Sequence, residues 1–418
     1  MDFEHPGCAG HSGRSFLVIQ LARFGDLVQT KRLVLSLQRE GTVHLAVDTS
    51  LTALAALIYP QAVVHGICAH GRGGADLGMV HGSLLDLARL DFFRVYNLNF
   101  SGQNFALATL FPCDRVRGYS LRAGQRLIDF WPRQLMRWTR DRRIAGLNLV
   151  DAWGHYASSV IWPDEVNPVP GGRGGGLGVV MAGQNARRSL PANQLAPLVQ
   201  AARARVGRGP VVLLGAGPER RAAQELSALL PAALRAEVRD LVGGTGWPEL
   251  LDEVANLDLL LTPDTGTMHL AAHLGVPVMA FFLSSAWCHE TGPYGAGHIV
   301  LQAGPDCAPC LETAPCPHDV CCRRFFSDTG VLRFVSGREG KGIGPGGRIL
   351  SGFFDELGQD WAVLAGEDML KPQRRAFRSL AASLCAVRGH APAASPEETW
   401  MQERDWMLPR TLHDVHHE

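Results

Sequence analysis

The sequence predicts an α/β chain made of two doubly wound, Rossmann-like halves in succession. Three observations carry this. Short apolar runs alternate with stretches of helical spacing, first over residues 16–119 and again over 177–282. A break dominated by Pro and Gly, residues 163–176 (PDEVNPVPGGRGGG), separates the two series. Several apolar runs end in small polar turns that open the next helix, as in parallel sheets, whose ligands sit at the carboxyl ends of the strands.

Taken in order, residues 1–15 are rich in Gly, His and Ser and read as a disordered N-terminus. A first domain spans 16–162. In it, 16–21 is a strand, Ala22-Arg23-Phe24-Gly25-Asp26 the turn after it, 27–39 a helix and 43–47 a second strand. Strands at 63–67, 93–98 and 115–119 follow, with helices at 51–58, 84–90 and 105–110 and a loop at 71–74. Asn99 opens the turn after the 93–98 strand. Residues 120–162 are basic and aromatic. They read as a solvated helix with docked Trp side chains, or as a surface for an anionic acceptor or for lipid headgroups. After the 163–176 linker, a second domain spans 177–325, with strands at 177–181, 211–214, 257–261 and 276–282. Residues 326–418 read as a helical extension, with helices at 352–364 and 374–387, and a tail.

Composition narrows the function classes. Lys plus Arg and Asp plus Glu are both 40, so no overall basic field points to nucleic acid. No apolar run approaches the ~18 residues of a membrane span, and the first run is too short and too polar for a secretory signal. The expectation is a cytoplasmic protein, with peripheral contact to the inner membrane face left open because surface contact needs no span.

The most informative stretch is 257–275, LDLLLTPDTGTMHLAAHLG. It reads as buried strand, polar turn Asp264-Thr265-Gly266-Thr267, then a helix that Gly275 stops. Such a turn offers free backbone N–H groups and the positive end of a helix dipole, a ready anion site. Asp264 is equally suited to capping the helix. Asp26, just past the first strand and beside Gly25, has the same two readings, cap or chemistry. Glu219 follows Gly215-Ala216-Gly217 at another strand tip.

These motifs together resemble glycosyltransferase family 9, the ADP-heptose:lipopolysaccharide heptosyltransferases, over roughly residues 16–325. Asp264-Thr265-Gly266-Thr267-Met268-His269 is similar to the family's Asp-(Ser/Thr)-Gly-x-x-His turn. Ala271-Ala272-His273-Leu274-Gly275-Val276-Pro277, Thr291-Gly292-Pro293-Tyr294 and Cys307-Ala308-Pro309-Cys310 follow as they do in the family. Arg23-Phe24-Gly25-Asp26 departs by one residue from the family's Arg-x-x-Gly-Asp, and Arg188-Ser189-Leu190-Pro191 stands where the family has Lys-x-Trp-Pro. The resemblance implies a GT-B fold, two facing Rossmann-like domains with a cleft between them. It implies an inverting transfer of heptose, or a similar sugar, from an ADP-linked donor to a lipopolysaccharide core or related acceptor. Asp26 would be the catalytic base, with Arg23 and Asn99 on the acceptor. Gly183, Gln184, Arg188, Glu219, Asp264, Thr265, Gly266, Thr267 and His269 would bind the donor.

Ten cysteines do not form a secreted framework here, because five lie between Cys307 and Cys322 and the rest are scattered. Cys307, Cys310, Cys316 and Cys321 have spacing compatible with a structural zinc or iron–sulfur centre, or with reduced thiols. The implied chemistry requires no cofactor. A different class, a non-catalytic nucleotide-binding or regulatory protein on this fold with the cysteine cluster as its working site, is the alternative. A dinucleotide oxidoreductase is disfavoured, because residues 21–27 lack Gly-x-Gly-x-x-Gly.

Overall fold

The computed structural model describes residues 13–69, 77–181, 187–283, 285–310, 315–338, 342–386 and 395–396. The expected disorder of residues 1–15, the loop at 71–74 and the tail fall wholly or largely outside these residues. The first strand itself starts at Ser15.

The first unit holds strands β1 (Ser15–Gln20), β2 (Thr42–Asp48), β3 (Val63–Ile67), β4 (Arg94–Asn97), β5 (Val116–Arg122) and β6 (Gln125–Ile128). The second holds β7 (Leu177–Val180), β8 (Val211–Leu214), β9 (Val238–Asp240), β10 (Leu259–Thr262), β11 (Val278–Phe282), β12 (Ile299–Ala303), β13 (Gly347–Phe354) and β14 (Gln359–Ala365). A two-residue strand, β15 (Ser395–Pro396), pairs with β6 of the first unit. The sheet orders are β15-β6-β5-β4-β1-β2-β3 and β14-β13-β12-β11-β10-β7-β8-β9. Renumbered from its own first strand, the first parallel core runs 3-2-1-4-5 and the second 3-2-1-4-5-6, the doubly wound order of the Rossmann fold. The expectation of two Rossmann-like sheets holds.

Central strands here are buried on both faces, which is why they read as continuous apolar runs rather than alternating ones. Phe16, Leu17, Val18 and Ile19 of β1 are all buried, as are Leu259, Leu260 and Leu261 of β10. After β10, Thr265 stands in extended backbone and caps the helix Gly266–His273. Gly275 closes that helix at φ +70°, where a Cβ would also stand 2.8 Å from Pro168. Only glycine meets both conditions.

Three sequence expectations need correction. The helix expected at 27–39 begins at Phe24 and divides at Thr30, giving Phe24–Gln29 and Lys31–Gln38. Thr30 Oγ1 and Tyr59 Oη both donate to the carbonyl of Leu27, at 2.6 and 2.7 Å, which draws that carbonyl out of the helical ladder. The segment 352–364 is not helical. It lies within the antiparallel hairpin β13–β14, which extends the second sheet beyond β12. Asp355 and Gly358 close the hairpin by reciprocal backbone hydrogen bonds. The domain boundary also moves, because Met136–Ala152 belongs to the second unit and only Trp153–Ile161 of the following stretch returns to the first.

The Gly-rich part of the expected linker is pinned to the second unit. Gly171 donates to Gly275 O at 2.9 Å and Gly175 to Asn256 O at 2.8 Å. The Asp258 carboxylate accepts from the amides of Gly174 (2.6 Å) and Gly176 (3.0 Å). Asp258→Ala should therefore cost about 2 kcal/mol by removing two charge-assisted bonds. A urea melt with an unchanged midpoint would show that this segment is not held by that carboxylate.

Candidate functional site

In an open parallel sheet the loops at the carboxyl ends diverge where the strand order reverses. In the second sheet that point lies between β7 and β10. The polar turn leaves β10 there. Thr262 Oγ1 donates to Pro263 O at 2.8 Å and lies 3.1 Å from Thr265 Oγ1. Thr265 Oγ1 accepts the Met268 amide at 3.4 Å. Thr265, Gly266 and Thr267 are half-exposed above buried Met268 and His269. The amides of Gly266 and Thr267 fall in the first turn, where a helix offers no internal acceptor.

Asp264 is buried and does not cap the helix, since Thr265 does. Its Oδ2 accepts from Thr291 Oγ1 at 3.0 Å and lies 3.6 Å from Arg188 Nη1. Its Oδ1 lies 3.9 Å from His269 Nε2. Burial depresses the His269 pKa to about 4, although Asp264 pulls the other way. The ring is thus neutral near pH 7 and its approach to Asp264 is no ion pair there. Leu190, two residues after Arg188, is packed into the core. Glu219 is half-buried at the tip after β8 and precedes the helix Arg220–Leu229. Gly183 and Gln184 lie outside the described residues.

The first sheet has the same reversal between β1 and β4, and Arg23, Asp26 and Asn99 all stand at that end. Asp26 is in the first turn of the helix, where its Oδ2 accepts the Arg23 amide at 3.1 Å. Asp26 is thus not the N-cap, a position Arg23 holds, but the third helical residue reaching back to it. Asn99 Oδ1 accepts from the Leu21 amide at 2.9 Å and from Asn104 Nδ2 at 3.4 Å. That ties the turn after β1 to the turn after β4. Arg23 is exposed.

Two residues were missed by sequence reasoning. Arg142, in the basic run read as solvated or lipid-facing, is buried. It binds buried Glu290 through Nε (3.0 Å to Oε1, 2.9 Å to Oε2) and Nη2 (2.7 Å to Oε2). Glu290 directly precedes Thr291, the partner of Asp264. Nothing local marks this pairing, which joins positions 148 apart.

Cys307, Cys310, Cys316 and Cys321 are half-buried. Arg187 Nη2 lies 3.2 Å from Cys310 Sγ, and Arg143 donates to the carbonyls of Ala308 (2.7 Å) and Asp306. The Val320 amide lies 3.4 Å from Cys316 Sγ. Among the described residues, no three His, Cys, Asp or Glu side chains are grouped so as to hold a metal ion. Residues 311–314 of this stretch are not among those described.

Residues 191–318 match the family model for glycosyltransferase family 9 (heptosyltransferase). That segment contains β8 to β12 and the whole Asp264 turn. That segment is similar to glycosyltransferase family 9. The chain is also similar to lipooligosaccharide heptosyltransferase 2 of Haemophilus influenzae, 33% identical over 72 residues. That match takes in 17% of this chain and 21% of the relative, so the chain spans about a fifth of that protein's length. The fold is shared with solved structures. One is the E. coli ADP-heptose LPS heptosyltransferase II (TM-score 0.51, 17% identity, 69% of this chain and 90% of that one). Another is the family 9 glycosyl transferase of Veillonella parvula (TM-score 0.52, 17% identity, 70% and 88%). At this identity they speak for the α/β GT-B fold alone. Among the described residues, no helix is long and apolar enough to cross a membrane.

The buried histidines give a pH prediction. His269, His289 and His298 all have pKa values lowered from 6.5 to about 4, with burial the largest cause in each. Between those values the unfolded chain binds protons that the folded chain refuses. Their stabilisation is fully present above pH 6.5 and is lost as pH falls toward 4. Glu290, whose pKa burial raises against the pull of Arg142, opposes part of the loss. The melting temperature should fall by several degrees between about pH 7 and about pH 5. His298→Gln should flatten that slope. A profile unchanged by the substitution would remove His298 from the account.

Proposed function

We propose that this chain is an inverting glycosyltransferase. It transfers heptose, or a closely similar sugar, from an ADP-linked donor to a lipopolysaccharide core or related glycan. The observation that carries the reading is the Asp264-Thr265-Gly266-Thr267 turn at the switch point of the second sheet. It lies within the family 9 segment, and Arg188 stands beside it. Backbone amides at a helix start and a guanidinium are what a leaving diphosphate needs. The relatives named above as heptosyltransferases support the choice of sugar.

In the reaction, the acceptor hydroxyl gives its proton to Asp26 as its oxygen attacks the anomeric carbon. The bond from that carbon to the diphosphate oxygen breaks, its electron pair leaves with the nucleotide, and the anomeric centre inverts. A carboxylate carries about four lone-pair sites, so Asp26 can hold the Arg23 amide and still accept a proton. Arg188 and the turn amides stabilise the charge that builds on the diphosphate. Arg23 and Asn99 serve the acceptor side, Arg23 by charge and Asn99 by fixing the turns around Asp26. Glu219 meets the nucleoside. No step calls for a metal. The working compartment is the cytoplasm, with the acceptor met at the inner membrane surface.

We assign the cysteine cluster a structural role, holding the 306–310 loop beside Arg187. Elemental analysis decides its form. One equivalent of zinc or iron per chain, lost in Cys307→Ser, would make it a structural metal site, and its absence would leave reduced thiols.

Binding tests the donor half. ADP should raise the melting temperature. Arg188→Ala should weaken ADP about tenfold, the loss of one charge-assisted contact. Turnover tests the other half, where Asp26→Asn should keep ADP affinity and lose about 10²–10⁴-fold in rate. Preference for UDP or GDP would overturn the sugar class. No response to any nucleotide, or near-normal turnover in Asp26→Asn, would sink the mechanism.

A further inference from the structure

The buried Arg142–Glu290 pair does no work in the reaction as written, yet it stands directly behind the proposed phosphate turn. Glu290 and Thr291 are adjacent in the short helix Cys288–Thr291, and Thr291 Oγ1 is bonded to Asp264 Oδ2 at 3.0 Å. The helix is fixed from several sides. The Cys288 amide donates to Gln302 Oε1 at 3.0 Å, Trp361 Nε1 to Cys288 O at 3.0 Å, and Asn148 Nδ2 to Gly292 O at 3.0 Å. Glu290 therefore cannot swing away, and two carboxylates, Asp264 and Glu290, are held in one buried neighbourhood. A site for a diphosphate should not contain two uncompensated carboxylates.

We propose that Arg142 is a positioning residue for anion binding at the Asp264 turn. Its guanidinium cancels the Glu290 charge and anchors the helix whose Thr291 orients Asp264. This inference rests on the reading of the second unit as a nucleotide-diphosphate site. Among the described residues, Glu290 has these charged neighbours. Arg142 faces it from the 136–152 segment and Asp264 from the turn after β10, with Arg188 and His269 beyond Asp264. On its own helix, His289 is directed to Asp360 instead, Nδ1 lying 3.5 Å from Oδ1. Burial pushes the Glu290 pKa up, Arg142 pulls it down, and Asp264 adds a smaller upward push.

The consequence is a pH signature. With Arg142 present, its guanidinium offsets the Glu290 carboxylate. Without it, a buried and stranded Glu290 is protonated at low pH and ionised at high pH. In Arg142→Met, ADP affinity should therefore fall by about tenfold between about pH 7 and about pH 9, while wild type stays nearly flat. Arg142→Met/Glu290→Gln removes both charges and should restore a flat profile. It also controls for folding, because replacing both partners of a buried pair is far milder than removing one.

The experiment is titration calorimetry of ADP across that pH range with wild type and both variants. Wild type that binds no ADP would sink the underlying reading. Wild type that binds, with an Arg142→Met profile parallel to it, would overturn the positioning role and leave the nucleotide site standing. A lowered melting temperature with no pH-dependent affinity would reduce Arg142 to a packing residue.

Discussion

A parallel sheet wound to both sides reverses its strand order once, and at that place two neighbouring strands send their following loops in opposite directions. The rest of this molecule depends on that constraint. Loops that diverge leave backbone and short side chains accessible above strands that are otherwise fully buried. In the second unit the reversal falls between β7 and β10, and the half-exposed Thr265-Gly266-Thr267 sits on buried Thr262 and Asp264. In the first it falls between β1 and β4, where Asp26 and Asn99 are tied into the turns. A residue moved one strand away on either sheet would lose that access, whatever its chemistry.

Charge is balanced around the second of these places by pairing rather than by solvent. Asp264 has Thr291 within hydrogen-bond distance and Arg188 slightly beyond it. Glu290 has Arg142 in a two-nitrogen contact. His269 is buried deeply enough to be neutral. The Arg188 side chain is 28% exposed and stands 3.6 Å from the Asp264 carboxylate.

What could be read from the sequence was whatever is decided within a few residues. The Gly275 stop and the buried strand follow from local backbone demands that 257–275 declares, whereas the cap falls on Thr265, one residue after the Asp264 that the sequence offered for it. The turn that holds Asp26 is equally local, although the helix begins at Phe24 rather than Leu27. The Arg142–Glu290 pair was illegible because its partners meet only after the chain has wound a whole sheet. In the sequence, Arg142 is simply one more arginine in a basic run. The hairpin at 347–365 was misread because its side chains serve two contexts at once. Trp361 faces the core and donates to Cys288, while Leu364 lies half in solvent. Such a mixed pattern fits helical spacing as easily as alternation.

That hairpin also explains why the second unit does not end at β12. An exposed parallel edge strand invites further pairing, and β13 and β14 occupy it with antiparallel partners. The addition reaches back to the site through side chains. Asp360 of β14 takes His289, and Arg374 of the following helix donates to the Arg143 carbonyl at 3.1 Å while pairing with Asp368. Trp138 meets Phe377 edge-on at 4.9 Å. The segment that carries Arg142 is thus clamped between the short helix bearing Glu290 and the C-terminal extension. An arginine buried beside a carboxylate holds its geometry only if neither partner can drift, because each alone is a costly buried charge. The extension supplies that immobility from outside the family 9 segment, so the site's electrostatics depend on residues that lie beyond the motif identifying it.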